Sequence, residues 1–277
     1  MTIEEKVKLE DKARMLRRRV VEMIGCDGVP GHLGGSCSAA EIIAALYFHK
    51  LRVDPHDPKK PDRDRFLLSK GHAALIQYAA LAELGFFPVE ELKRVKHLGC
   101  MLQGHPDLTS TPGVEANTGS LGMGLSIGLG IALGLRLDNS NARVYVMVGD
   151  GELAEGQIWE AAMAASHYGA DNLVAIIDRN HVQAMGPVRE RFDTGNPAIK
   201  FSSFGWHTIE IDGHRISEIC SALDAADLVK GKPTAVIADT IKGKFVSFAE
   251  GNAAFHNAAL TREQYETALS DIESYRV

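Results

Sequence analysis

Disulfide chemistry is missing from this chain. Its four cysteines, Cys26, Cys37, Cys100 and Cys220, show neither a CxxC pair nor disulfide-like spacing, and so they read as reduced thiols of a cytosolic (cytoplasmic) protein. There is no excess of positive charge. A net charge of -6 with both signs mixed argues against a nucleic-acid partner. No apolar run is long enough for a membrane partner: Leu121 to Leu135 is the longest stretch, and it is interrupted by glycines. The opening MTIEEKVKLEDKARMLRRR is charged and helical, unlike a secretory signal. Repeats, low-complexity tracts and long linkers are absent. A chain of 277 residues buries on the order of three quarters of its unfolded surface, which suits one α/β domain over residues 1–277.

What is present is an alternation of helices and strands. Thr2 and Glu5 form a capping-box pattern for a first helix ending near Gly25, Ser38 and Glu41 form a second, and Thr261 with Gln264 caps a last helix. Strands are expected at Arg65–Ser69, Val144–Val148, Leu173–Ile177, Trp206–Ile211 and Thr234–Asp239, with helices over Glu155–Tyr168 and Ile216–Leu228. The expected fold class is α/β: a doubly wound, mostly parallel sheet with helices on both faces.

The stretch from Val144 to Asn180 carries the most chemistry. A strand ends in Gly149-Asp150-Gly151-Glu152, a helix follows, and a second strand ends at Asn180, thirty residues after Asp150. Such a crossover makes the two strands parallel, so Asp150 and Asn180 both lie at the carboxyl edge where open α/β sheets bind ligands. On its own, Asp-Gly is an ordinary strand-ending turn. The whole pattern suits a hard cation instead, with one oxygen each from Asp150, Asn180 and the Val182 carbonyl. Magnesium takes about six oxygens, so three protein ligands leave room for a diphosphate. Gly149 and Gly151 let the backbone come close.

Four histidines stand in VPGHLGGS (His32), SKGHAA (His72), LQGHPD (His105) and AAFHNA (His256). An imidazole at such a turn can face a cleft and move protons near neutrality. Taken singly, each reads more readily as an ordinary loop residue, as expected for His214 after Gly213. No two of the four have metal-ligand spacing. Gly119-Ser120-Leu121-Gly122 opens a glycine-rich helix whose pairs Gly124/Gly128 and Gly130/Gly134 suit close helix packing.

GDG followed about thirty residues later by Asn resembles the thiamine diphosphate fingerprint. GDGELAEGQIWEA is similar to transketolases, above all the N-terminal subunits of two-chain enzymes, and the resemblance runs from Ala13 to about Leu260. It implies the diphosphate-binding domain of the thiamine diphosphate fold, with thiamine diphosphate and Mg2+ (or Ca2+ or Mn2+) as cofactors. By that resemblance, Gly149, Asp150, Gly151, Glu152 and Asn180 hold the diphosphate and, with Val182, the metal. His72 contacts the diphosphate, the Gly119-Ser120-Leu121 turn meets the aminopyrimidine, and His105 contacts donor hydroxyls. His32 and His256 handle protons on the sugar, and Glu155 and Glu160 belong to a proton network between subunits. The implied reaction moves a two-carbon ketol unit from a ketose to an aldose, with sugars or sugar phosphates as substrates.

The resemblance also implies a partner. The activating glutamate and the pyrimidine-binding domain would come from a C-terminal subunit, in an α2β2 heterotetramer. Two departures stand out. Ala184-Met185-Gly186 replaces the family's usual Ile-Asp-Gly, and His32-Leu33-Gly34-Gly35 replaces His-Pro-Gly-Gly; both are expected to leave room for an unusual sugar. The alternatives are a deoxyxylulose-phosphate synthase-like enzyme, a 2-oxo acid dehydrogenase E1-like component, or a chain that kept the fold without turnover.

Overall fold

The computed structural model describes residues 1–274; residues 275–277, the end of the expected unit, lie outside the described residues. Helix α1 (Ile3–Ile24) is followed by the short α2 (Leu33–Cys37) and α3 (Ala40–Ala45), strand β1 (Arg65–Leu68), and helices α4 (Ala74–Leu84) and α5 (Met123–Leu137). Strand β2 (Val144–Gly149), helix α6 (Gly156–His167) and strand β3 (Leu173–Arg179) form the expected crossover. A two-residue hairpin pair, β4 (Val182–Gln183) and β5 (Gly186–Pro187), leads to α7 (Val188–Arg191) and α8 (Pro197–Ser203). The chain closes with β6 (His207–Asp212), α9 (Ile216–Leu228), β7 (Thr234–Asp239) and α10 (Arg262–Ser274).

The five long strands form one sheet in the order β1-β2-β3-β7-β6, and every pairing is parallel. Parallel strands are buried on both faces, and their alternate residues feed two cores. Tyr145, Met147, Val174, Ile176 and Val236 pack under α1, α3, α4 and α9, whereas Val144, Val146, Val148, Ala175 and Ile237 pack under α5 and α6. In register, Gly149 lies opposite Asp178, so β2 and β3 end level with one another.

Helix ends follow the sequence in two of three cases. The Thr2 hydroxyl accepts the Glu5 N–H at 3.2 Å while the Glu5 carboxylate accepts the Thr2 N–H at 2.6 Å, and α1 stops at Gly25 with φ 60°. Thr261 and Gln264 cap α10 in the same reciprocal way, at 3.1 and 3.0 Å. The expected box at Ser38 and Glu41 does not form. Ser38 is helical at the end of α2, and its hydroxyl donates to Asp178 at 2.8 Å. Glu41 is buried and binds Arg17 and His214. Buried charged partners outweigh a local backbone cap here, because an unpaired carboxylate at that depth costs more than a lost cap.

The glycines of α5 divide into two kinds. A Cβ on Gly124 would lie 2.4 Å from Ser69, and one on Gly128 2.4 Å from Val146, so these two let the helix settle on the sheet. Gly130 and Gly134 face open space, with nothing within 4 Å of the added Cβ, so the second pair serves no packing within this chain. Gly128→Ala should therefore destabilise the fold by about 1–3 kcal/mol through overpacking. Gly130→Ala should stabilise the isolated chain by about 0.5–1 kcal/mol through helix propensity. Urea unfolding of the two variants beside the parent checks both signs.

Candidate active site

The ends of four strands surround a cavity of about 180 Å³. Its walls include Asp150 and Gly149 from β2, Asn180 and Val182 after β3, Lys70 and His72 after β1, Lys242 after β7, and His256 from the segment before α10. Gly35, Gly151, Glu152, Leu121, Gln183 and Ala184 complete it. Of the residues singled out in sequence, Gly149, Asp150, Gly151, Glu152, Asn180, Val182, His72, His256 and Leu121 thus share one space.

Asp150 is buried. Its carboxylate accepts the N–H groups of Gly151 at 2.7 Å and of His181, which takes φ 63° to present its amide. Burial and the neighbouring Asp178 push its carboxyl up to about 6. Asn180 donates its amide nitrogen to Asp178 at 3.1 Å, while its amide oxygen accepts the Val182 N–H at 3.2 Å. The Val182 carbonyl accepts the Lys242 ammonium at 2.9 Å. An oxygen-only donor set, with a carboxylate pressed toward its neutral form and an ammonium drawn to a backbone carbonyl, fits a hard cation. Among the described residues no group of three His, Cys, Asp or Glu side chains is placed to hold a metal, so a cation here depends on the amide and carbonyl oxygens.

Beneath this wall lies a buried ion pair. Asp178 is fully buried and accepts from Lys70, Ser38, Thr240 and Asn180. Burial pushes its carboxyl up, but Lys70 and the hydroxyl donors outweigh that and hold it down to about 2. Lys70 also donates to the Gly35 carbonyl at 2.7 Å. Lys242 is kept down to about 8 by burial and by Lys70. Sequence reasoning missed Lys70, Lys242 and Asp178. The signal was available for both lysines, since each lies just past the carboxyl end of a parallel strand, the rule that found Asp150 and Asn180.

Glu152 lines the cavity yet its carboxylate is already engaged. It accepts from Ser69, from the Gly122 N–H at 2.8 Å and from the Gly149 N–H at 3.0 Å. It therefore ties the Gly119–Gly122 turn to the end of β2. Gly119 has φ 142° and lies against the His105 ring, and Gly71 lies against Gly119, so neither position has room for a side chain. Ser120 is exposed on the same turn, and the neighbouring Thr118 hydroxyl is buried without a hydrogen-bond partner. Glu155 and Glu160 lie on an exposed face at the start of α6.

Four histidines widely spaced in sequence come together. The His32 ring lies 5.2 Å from His72, 5.4 Å from His256 and 6.4 Å from His105, and His72 lies 4.9 Å from His256. Burial, with the nearby lysines and imidazoles, holds His32 and His256 down to about 4 and His72 down to about 2. These three rings are neutral at pH 7. Of the two departures, Ala184 does line the cavity, whereas Leu33 is buried in the core and shapes packing rather than the site. His214 is not a plain loop residue: it is mostly buried and hydrogen-bonded at both ring nitrogens.

An all-parallel sheet edge with two buried ammoniums and neutral imidazoles suits a domain that takes up an anionic cofactor. Residues 8–272 match the family described as transketolase, thiamine diphosphate binding domain, and the chain belongs to that family. It is 44% identical to the 6-deoxy-6-sulfo-D-fructose transketolase subunit SqwG of a Clostridium species, over 98% of both chains. It is 40% identical to an apulose-4-phosphate transketolase subunit of Phocaeicola vulgatus, over 95% of this chain and 93% of that one. Human transketolase is 40% identical over 96% of this chain but 42% of its own length. Among solved structures, the transketolase from Leishmania mexicana superposes with a TM-score of 0.89 at 30% identity, covering 96% of this chain and 41% of that chain. The chain thus spans about two fifths of the single-chain transketolases and nearly all of the named subunits.

The depressed histidines give a stability signature. A histidine held below its unfolded value near 6.5 leaves full stability above that pH and loses it as pH falls toward the folded value. For the well-buried His72 the loss approaches about 1.4 kcal/mol per pH unit below 6.5. Urea midpoints measured from pH 7.5 to 4.5 should fall with acid, and His72→Gln should flatten that fall.

Proposed function

We propose that this chain is the diphosphate- and metal-binding subunit of a two-chain transketolase. The observation that carries the reading is the convergence of Asp150, Asn180, Val182, Lys70, Lys242 and His72 on one cavity at the parallel edge. The oxygens of Asp150, Asn180 and Val182 would hold a divalent cation, Mg2+ first and Ca2+ or Mn2+ as substitutes. Lys242, His72 and the backbone of Gly149 and Gly151 would face the diphosphate. The turn at Gly119, Ser120 and Leu121 would meet the aminopyrimidine, with Glu152 holding that turn in place. Thiamine diphosphate supplies carbanion chemistry when bound.

The chain's own residues orient the sugar and move protons. His32 and His256, both neutral at pH 7, accept or return protons at the sugar's carbonyl and hydroxyl oxygens. His105, exposed beside His32, hydrogen-bonds donor hydroxyls. The two relatives' names specify a sulfonated ketose and a ketose phosphate, each with an anionic end. A ketose with such an end is the proposed donor class. Lys70 and Lys242 sit deep in the diphosphate half of the site, so the cations that read the sugar's anionic end would come from the partner.

That partner is a C-terminal subunit bearing the pyrimidine-binding domain and the activating glutamate, in an α2β2 assembly. The exposed face of α5 and α6 supports such a contact: it combines Met123, Gly130, Gly134 and Met163 with Glu155 and Glu160. Close approach of another backbone gives the two open glycines a purpose. The four unpaired cysteines support a reducing, cytoplasmic setting, and among the described residues no helix is long and apolar enough to cross a membrane. The relatives carry transketolase names, so the synthase and dehydrogenase readings find no support.

Asp150→Ala should lower magnesium-dependent thiamine diphosphate affinity by more than about a hundredfold, measured by isothermal titration. Unchanged affinity would count against the site. The chain alone should show no ketol transfer from a sulfonated or phosphorylated ketose in a coupled assay, and addition of its C-terminal partner should restore turnover. Robust turnover by the chain alone would refute the divided site.

A further inference from the structure

Lys242 reaches the cavity from a loop whose position is set by a chain of buried polar groups running back to the first helix. Ile241, its neighbour, donates its N–H to Nε2 of His214 at 2.8 Å. With Nε2 accepting, the ring proton belongs on Nδ1, which donates to the Glu41 carboxylate at 3.0 Å. Glu41 in turn receives the Arg17 guanidinium, and Arg17 donates through Nε to the Cys37 carbonyl at 3.2 Å. All three side chains are largely out of water, at 2% exposure for Arg17, 5% for Glu41 and 12% for His214. Burial pushes the Glu41 carboxyl up, but Arg17 and His214 outweigh it and hold it down to about 2, so the acceptor for the imidazole proton is a carboxylate.

The same loop is held at further points as well. The Thr240 hydroxyl donates to Asp178, the Gly243 N–H donates to the Gly34 carbonyl at 2.9 Å, and the Lys242 carbonyl accepts the Gly251 N–H at 2.8 Å. Close packing leaves Lys242 little latitude, since a Cβ on Gly34 would lie 2.9 Å from its side chain. The Ile241 contact fixes the Thr240–Ile241 peptide, one residue ahead of Lys242, through a side chain with a defined tautomer. Carboxylate-imidazole pairs orient functional groups in this way by making one ring nitrogen an obligate donor and the other an obligate acceptor.

We propose that His214, locked by Glu41 and Arg17, is a positioning residue that aims Lys242 into the cofactor cavity. The inference rests on the reading of that cavity as a thiamine diphosphate site. His214 touches neither the cavity nor its cations; it acts through the Ile241 amide.

A double-mutant cycle tests this with the full chain assembled with its C-terminal partner, thiamine diphosphate and magnesium, read by isothermal titration. His214→Leu should weaken cofactor affinity about tenfold in the parent and less than about twofold when Lys242 is already Met. Equal weakening in both backgrounds would overturn the proposal, because it would mean that His214 serves general stability. His214→Gln and His214→Asn give a second comparison should the leucine variant fold poorly. Gln offers an amide oxygen near the Nε2 position and should stay within about threefold of the parent, whereas Asn reaches only toward Glu41 and should behave like Leu. Identical behaviour of Gln and Asn would also overturn it. Absence of any thiamine diphosphate binding by the parent assembly would sink the cofactor reading, and this inference with it. Binding by the parent without coupling would sink the inference alone.

Discussion

The buried ion pair between Lys70 and Asp178 is the constraint around which the site is built. Two opposite charges removed from water are tolerable only when their remaining hydrogen-bonding capacity is used. Asp178 uses it on Ser38, Thr240 and Asn180, and Lys70 uses it on the Gly35 carbonyl. Those partners come from the end of α2, the loop after β7 and the end of β3. Satisfying one pair therefore pins these three segments, together with the turn after β1 that carries Lys70, to the carboxyl edge of the sheet. Donation by the Asn180 amide nitrogen to Asp178 also decides which way the amide points, leaving its oxygen to accept the Val182 N–H.

That arrangement explains why the imidazoles stay neutral. Positive charge is already present in Lys70 and Lys242, and a cationic ring a few ångströms away would be both desolvated and repelled. Neutral rings keep one nitrogen free to accept a proton, which is the state proton transfer requires. Beside burial, the lysines help to keep the adjacent histidines neutral, and in the proposed site they would attract the diphosphate. Asp150 feels the opposite pressure from Asp178, which is what a cation would relieve.

Much of this was readable in one dimension, for identifiable reasons. β2, α6 and β3 carry strong periodicity and unambiguous ends, so their parallel crossover and the level placement of Asp150 and Asn180 followed from pattern alone. Where reading failed, local grammar was overruled by contacts distant in sequence. Ser38 and Glu41 have capping-box spacing, but Asp178 lies 140 residues from the first and His214 173 residues from the second. Gly213-His214 looks like any turn until Glu41 and Ile241 are brought to its two ring nitrogens. Leu33 differs from the family pattern beside His32, yet its side chain turns into the core. Gly130 and Gly134 share the spacing of Gly124 and Gly128 but have nothing to pack against in this chain.

By itself, the order of residues determined which segments are strands and helices, that the strands run parallel, and that an aspartate and an asparagine share one sheet edge. Periodicity and chain ends are local properties, and parallel crossovers have one hand. Only the tertiary structure decided which charges meet. It brought His72, His105 and His256 within 6.4 Å of His32, buried Lys70 against Asp178, and carried Lys242 to the Val182 carbonyl. The physical reason is that such pairings are set by the desolvation of charges in a shared interior, and no spacing along the chain records which groups will be left without water together.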